Sequence, residues 1–411
     1  MKKNLTLIFI VIIYSILNGQ DNKVITGIDN LIQMNFKILE GKRVGLITNP
    51  TGVNSNLKST IDILYEAKNL KLVALFGPEH GVRGDYAAGD KVETYYDNRT
   101  KLPVYSLYGK TRKPTNEMLT SIDILVYDIQ DIGCRSYTYI STLGLAMEAA
   151  AENNIEFVVL DRPNPLGGLK IEGNIVEDGF ISFVSQFKIP YVYGLTCGEL
   201  ATMLNEENML NAGLKCKLTI VPMKNWKREM KFNHTGLQWI PTSPHVPHEF
   251  SPQYYVSTGI LGELGVISEG VGYTIPFQIF AAEWIESEIL ADKLNSLKIK
   301  GVEFRPISLK PFYGKFKDKK LNGVQLHITN SDSVNLMSLQ FLFMQVNNEL
   351  YPEFNPLKMC NNSRLEMFEK VLGTAKITEL FSSRMNYEDI KDYLQKDVES
   401  FRKASSKYYI Y

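Results

Sequence analysis

Glu79 and His80 stand side by side in Gly77-Pro78-Glu79-His80-Gly81, so one short loop offers both a carboxyl group and an imidazole. That pair suits proton transfer: a carboxylic acid can protonate a leaving oxygen, and an adjacent imidazole can carry the proton itself or orient the acid. Gly77, Gly81 and nearby Gly84 leave room for a ligand to approach the backbone. Cleavage of a glycosidic bond is one reaction such an acid serves. It also needs either a second carboxylate or a substrate group to support an oxocarbenium-like transition state. Glu269, in Ser268-Glu269-Gly270-Val271-Gly272, is the candidate second carboxylate, with a solvated loop glutamate as the competing account.

Three other stretches concentrate polar groups: Asn49-Pro50-Thr51-Gly52, Asp128-Ile129-Gln130-Asp131-Ile132-Gly133-Cys134-Arg135, and Asp161-Arg162-Pro163-Asn164-Pro165. Each alone reads equally well as turn or helix-cap chemistry. Their common position decides between the two. Apolar, β-branched runs at Arg43–Thr48, Lys71–Phe76, Leu102–Leu107, Ile122–Tyr127 and Ile155–Leu160, with a sixth at Lys217–Pro222, predict strands. Helical patterns fall between them at about Ser59–Asn69, Thr138–Asn153 and Cys197–Leu210, the last opened by a Thr196/Glu199 capping box. Alternation of this kind predicts a Rossmann-like α/β fold with a doubly wound, mostly parallel sheet. In such sheets ligands bind beyond the carboxyl ends of the strands, and all four polar loops lie there. A polar cleft is therefore expected.

The proline-rich stretch Trp239-Ile-Pro-Thr-Ser-Pro-His-Val-Pro interrupts the alternation. We place a domain junction there, giving residues 21–225 as the Rossmann-like domain and 226–411 as a smaller α+β domain closing the cleft. Strands at Val302–Leu309 and Gly323–Thr329 and helices near Ser333–Leu350, Arg364–Leu372 and Tyr387–Ala404 are expected in it. Residues 1–20 resemble a signal peptide: Lys2 and Lys3 precede an apolar run from Leu7 to Tyr14 that is too short to span a bilayer. An uncleaved anchor is the alternative. Export, to the periplasm or beyond, with no membrane insertion after cleavage, is the expectation.

Several function classes are disfavoured. The 45 basic and 45 acidic residues balance, so no basic excess points to nucleic acid. No Gly-x-Gly-x-x-Gly follows the first strand and no phosphate loop is present, which argues against a bound nucleotide. The serine elbow Gly-x-Ser-x-Gly is missing too. The four cysteines are scattered and read as buried thiols, and no zinc-type ligand spacing appears. Tyr137, Tyr139, Trp239 and Tyr273 are candidates for stacking on sugar faces, although core packing is the commoner use of such residues.

Taken in order, several long motifs resemble one family. They are Gly41-Lys-Arg-Val-Gly-Leu-Ile-Thr-Asn-Pro-Thr-Gly, Leu75-Phe-Gly-Pro-Glu-His-Gly-Val-Arg-Gly, Tyr127-Asp-Ile-Gln-Asp-Ile-Gly-Cys-Arg-Ser-Tyr-Thr-Tyr, Leu160-Asp-Arg-Pro-Asn-Pro-Leu-Gly-Gly and Ile189-Pro-Tyr-Val-Tyr-Gly-Leu-Thr-Cys-Gly-Glu-Leu. The chain is similar through them to the exo-β-N-acetylmuramidases of the NamZ type, glycoside hydrolase family 171. The resemblance implies release of terminal β-1,4-linked N-acetylmuramic acid from peptidoglycan fragments, with no metal or organic cofactor. It implies Glu79 as the catalytic carboxylate beside His80, and a sugar site drawn from Asn49, Arg83, Asp128, Gln130, Asp131, Arg135, Tyr137, Arg162, Asn164, Ser243 and His245. An arginine such as Arg135 would meet the lactyl carboxylate with a two-pronged contact. Val271 and His245 stand where the family more usually has arginine and asparagine, a departure that bears on the exact sugar. A non-catalytic cell-wall glycan-binding protein, and a hydrolase of another wall component, are the competing functions.

Overall fold

Seven strands form the first sheet in the computed structural model, which describes residues 23–84 and 94–411. The segment read as an export signal lies outside those residues. The strands are β1 (Arg43–Thr48), β2 (Lys71–Gly77), β3 (Tyr95–Tyr96), β4 (Pro103–Ser106), β5 (Ile124–Asp128), β6 (Glu156–Leu160) and β7 (Lys217–Val221). Their spatial order is β3-β4-β2-β1-β5-β6-β7, parallel throughout except for the short edge strand β3. The chain builds outward from β1 through β2 to β4, then returns to add β5, β6 and β7 on the other side. Loops leaving β1 and β5 therefore diverge, and the crevice between them is where a doubly wound sheet takes its ligand.

Burial on both faces explains the near-continuous apolar strands. On one face Val44, Leu46, Leu75, Val126 and Val158 pack against Ile28 and Leu31 of α1 (Gly27–Gln33) and Ile61 and Leu64 of α2 (Thr60–Glu66). On the other, Ile47, Phe76, Tyr127, Phe157 and Val159 meet Leu143 and Met147 of α3 (Tyr139–Glu152) and Leu200 and Leu204 of α4 (Cys197–Glu206). Each fully buried aliphatic side chain contributes about 1.5–3 kcal/mol. The capping box at α4 is present: Thr196 Oγ1 accepts the Glu199 amide and Glu199 accepts the Thr196 amide.

Val221 ends the first sheet, and an irregular segment runs to α5 (Ser251–Leu264). Beyond it a three-stranded antiparallel sheet is ordered β8-β10-β9, from β8 (Ile279–Ala282), β9 (Val302–Leu309) and β10 (Leu321–Ile328). Helices α6 (Ser287–Ser296) and α7 (Ser338–Leu350) cover it, α8 (Asn362–Leu372) packs against α5, and the helix expected over Tyr387–Ala404 is two, α9 (Glu388–Gln395) and α10 (Val398–Ser405). The apolar cluster of the first sheet continues without a break into Ile260, Phe280, Leu339 and Phe343, so the halves share one core. The last residues return to the first half: Tyr411 donates to the fully buried Asp161 at 2.7 Å and accepts the Met223 amide at 2.9 Å. All four cysteines are free thiols, three of them buried. No helix among the described residues is long and apolar enough to cross a membrane.

Candidate active site

The crevice between β1 and β5 is knitted by short side chains. Asn49 Oδ1 accepts both the amide and the hydroxyl of Thr51, at 3.0 and 2.5 Å. The same hydroxyl accepts the Gln130 amide at 2.9 Å, tying the two diverging loops together. Gly84 lets the loop after β2 close on this pair: its φ is +81°, and a Cβ there would come within 2.6 Å of Pro50 Cγ.

Glu79 sits half-buried at the end of β2, next to His80, whose own backbone lies in the left-handed region at φ 74°. A non-glycine residue held there costs about 1–2 kcal/mol, and such strain gathers where a side chain must point one way. Thr138, just before α3, donates its hydroxyl to Glu79 Oε2 at 3.3 Å. Tyr108, directly after β4, faces the same carboxylate: burial first, then the Glu79 charge, pushes its phenol up to about 12. Tyr139 is also driven well above the usual phenol range, by burial and then by the charges of Tyr137 and Glu79.

The proline-rich segment closes over this group. Tyr137 donates to Thr242 Oγ1 at 2.8 Å and Tyr139 to the Thr242 carbonyl at 2.5 Å. Ser243 also lies within hydrogen-bonding reach of Tyr137. His245 stacks on Tyr313, with ring centroids 5.9 Å apart, and is held below the usual imidazole range by burial and then by His80. Glu79, His80, Tyr137, Ser243 and His245 are thus brought together, with Asn49 at the base. Trp239 instead packs edge-on against Phe232 and donates to the Val246 carbonyl, and Tyr273 packs near Phe312.

Asp131 is buried against Tyr193 and the Gly133 amide, both of which donate to Oδ2. Among the described residues its other oxygen and Asn49 Nδ2 make no hydrogen bond of good geometry, although the Asn49 amide lies within reach of the Tyr139 hydroxyl. Burial pushes Asp131 up to about 7, against the pull of Tyr193 and Gly133.

Several expected sugar contacts are engaged elsewhere. Arg135 is fully buried and donates to four backbone carbonyls, those of Asn174, Ile189, Val371 and Leu372, at 2.7 to 3.1 Å. Two of them close the C-terminal turn of α8, where a cation also suits the helix dipole. The expected contact between Arg135 and a lactyl carboxylate is therefore corrected, because the guanidinium is sealed from solvent. Asp128 and Arg162 form a two-pronged pair at 2.6 and 2.9 Å, and Asp128 also accepts the Thr60 hydroxyl; Arg162 lines a strand-end pocket with Thr51 and Gln130. Arg83 pairs with Asp97 and Asp62, holding Asp97, which burial alone would raise, down at about 2. Asn164 uses both ends of its amide on Leu195 and Leu166, and Gln130 directs its NH₂ to the carbonyls of Asp131 and Pro163.

Glu269 makes no contact with Glu79, but its loop reaches the site through Gly272, whose carbonyl accepts the amide of Phe312, next to the Tyr313 that stacks on His245. Glu269 itself lies against Gly262 of α5, and its carboxyl is pushed up to about 7 by desolvation and by Glu263, with Arg364 and Lys315 opposing. Those groups and the ones bearing on Glu79 have no residue in common. The described residues contain no cluster of three or more His, Cys, Asp or Glu side chains arranged to hold a metal.

Tyr108 and Thr138 were not singled out in the sequence. Tyr108 was reachable, since it directly follows a predicted strand; Thr138 was masked as the start of a helix.

Comparison with known proteins places this geometry in a family. The N-terminal model of the exo-β-N-acetylmuramidase NamZ matches residues 44–249, and the C-terminal model matches residues 253–411. A Bacillus subtilis protein named peptidoglycan β-N-acetylmuramidase NamZ is 47% identical over 389 residues, covering 95% of this chain and 92% of that one. The crystal structure of a DUF1343 family protein from Bacteroides fragilis superimposes with a TM-score of 0.91 at 62% identity, covering 95% of this chain and 99% of that one. A second DUF1343 family protein from that species gives 0.76 at 28% identity, with the same coverage. The two models together span nearly all of the described residues, and the chain belongs to the exo-β-N-acetylmuramidase NamZ family.

Proposed function

We propose that this protein is an exo-acting glycosidase that releases terminal β-1,4-linked N-acetylmuramic acid from the non-reducing end of peptidoglycan fragments. One observation carries the reading: a half-buried carboxylate, Glu79, stands at the strand-end edge with donors on two sides and an imidazole beside it, in a chain 47% identical to a peptidoglycan β-N-acetylmuramidase. Glu79 delivers a proton to the glycosidic oxygen as the C1–O bond breaks, and His80 orients it. Support for the oxocarbenium-like state comes from Glu269 or from the substrate's own 2-acetamido group. The Lys2/Lys3 and Leu7–Tyr14 pattern supports export, which places the enzyme where such fragments arise.

The test is chromophore release from para-nitrophenyl β-N-acetylmuramic acid by protein lacking residues 1–20, beside the matching N-acetylglucosaminide and Glu79→Gln. Turnover of the muramic substrate alone, reduced by ~10²-fold or more in the variant, is expected for a general acid. Folded protein that binds the sugar without hydrolysing it, unchanged by Glu79→Gln, would replace this reading with a glycan-binding role.

A further inference from the structure

N-Acetylmuramic acid differs from N-acetylglucosamine by a lactyl ether that ends in a carboxylate, and a guanidinium placed to meet it is a strong way to tell the two apart. The arginines first in line are engaged. Arg135 is sealed among four carbonyls, Arg162 is locked to Asp128, Arg83 to Asp97 and Asp62, and Arg228 to the buried Glu199. Arg364 is set beside Glu263.

Arg112 is different. It lies on the loop that follows β4, a few residues after Tyr108, and its side chain is exposed and makes no ion pair among the described residues. Its guanidinium lies over the face of Phe183, with Cζ 4.5 Å from the ring centroid. Phe183 is a fixed platform, since it is buried and its carbonyl accepts the Ser141 hydroxyl of α3 at 2.7 Å. The same ring packs on Tyr108, with centroids 6.3 Å apart, and Tyr108 faces Glu79. Arg112, Phe183, Tyr108 and Glu79 therefore form a row along the rim of the site. A guanidinium lying on an aromatic face keeps its N–H edges free for a planar, bidentate acceptor.

We infer that Arg112, held on Phe183, is the specificity residue that receives the lactyl carboxylate of the muramoyl substrate. This rests on the proposed function, and the experiment separates the two. Its first arm compares hydrolysis of the two para-nitrophenyl glycosides by wild type, Arg112→Ala, Arg112→Lys and Lys110→Ala, an exposed cation of the same loop. Arg112→Ala should raise KM for the muramic substrate about 10- to 100-fold, as for loss of a charge-assisted pair, with kcat far less affected. Arg112→Lys should recover part of the loss and Lys110→Ala should lose nothing. Calorimetric titration with free N-acetylmuramic acid and N-acetylglucosamine forms the second arm. Wild type should prefer the former, and Arg112→Ala should abolish the preference while binding N-acetylglucosamine as before. If wild type hydrolyses neither glycoside, the functional reading fails while the binding arm still decides for or against Arg112. A muramic preference that survives Arg112→Ala, or an equal loss of both sugars, overturns the assignment.

Discussion

Replacing Arg135 with methionine keeps most of the volume of a fully buried side chain but removes every donor from its end. Four carbonyls then lose a partner. Those of Val371 and Leu372 each keep another donor, from Ser185 at 3.4 Å and Asn174 at 3.1 Å. The carbonyls of Asn174 and Ile189 have no second donor and become orphans in the core, at about 1–3 kcal/mol each. Loss of the cation at the end of α8 adds up to about 1 kcal/mol. Part of this is offset, because the native guanidinium is itself desolvated with no carboxylate partner; burial brings it down to about 10. A net loss of about 3–5 kcal/mol is expected. At about 2–4 °C per kcal/mol for domains of 150–250 residues, the melting temperature should fall by roughly 10 °C. The assay is urea and thermal unfolding by circular dichroism, beside KM for the muramic substrate well below the melting point. A variant as stable as wild type but with a strongly raised KM would refute this reasoning and return Arg135 to the sugar.

Asp131 titrates near 7 in the fold and about 3.9 when unfolded, so the folded state holds more protons between those values and stability falls as pH rises through them. Asp131→Asn removes that fall, and its stability relative to wild type should improve by about 2–3 kcal/mol between pH 5 and pH 8 in urea melts; parallel curves would contradict the burial argument. His80→Gly relieves the left-handed strain but adds unfolded-chain entropy and deletes a buried imidazole, so it should cost about 1–3 kcal/mol of stability while losing activity well below its melting point. A fully active glycine variant would show that the imidazole is not used. Tyr411→Phe strips a donor from buried Asp161 and an acceptor from the Met223 amide, and should cost about 1–3 kcal/mol with KM unchanged. Arg228→Ala leaves the buried Glu199 carboxylate without its cation and should cost about 3–5 kcal/mol, read in the same melts.

The first half was legible because a parallel sheet covered on both faces writes itself as apolar runs: β1 lies at Arg43–Thr48 as expected, and β2, β5 and β6 fall within two residues of expectation. The second half was less so. Helix α5, Ser-Pro-Gln-Tyr-Tyr-Val-Ser-Thr-Gly-Ile-Leu-Gly-Glu-Leu, is buried along most of its surface, including Ser257 and Thr258, and so carries no polar stripe to set its period. At the site, the strand-end rule located the correct edge but could not tell an engaged side chain from an open one. Arg135 stands in a motif dense with polar residues, where a functional arginine is expected, yet the carbonyls that claim it lie up to 237 residues further along the chain. Arg112 stands in a plain loop between Lys110 and Lys113. What sets it apart is an aromatic face more than 70 residues away and, among the described residues, the lack of an ion-pair partner. Residue type at a strand end proposes a ligand contact; the partners that distant segments bring to it decide whether the contact can be made.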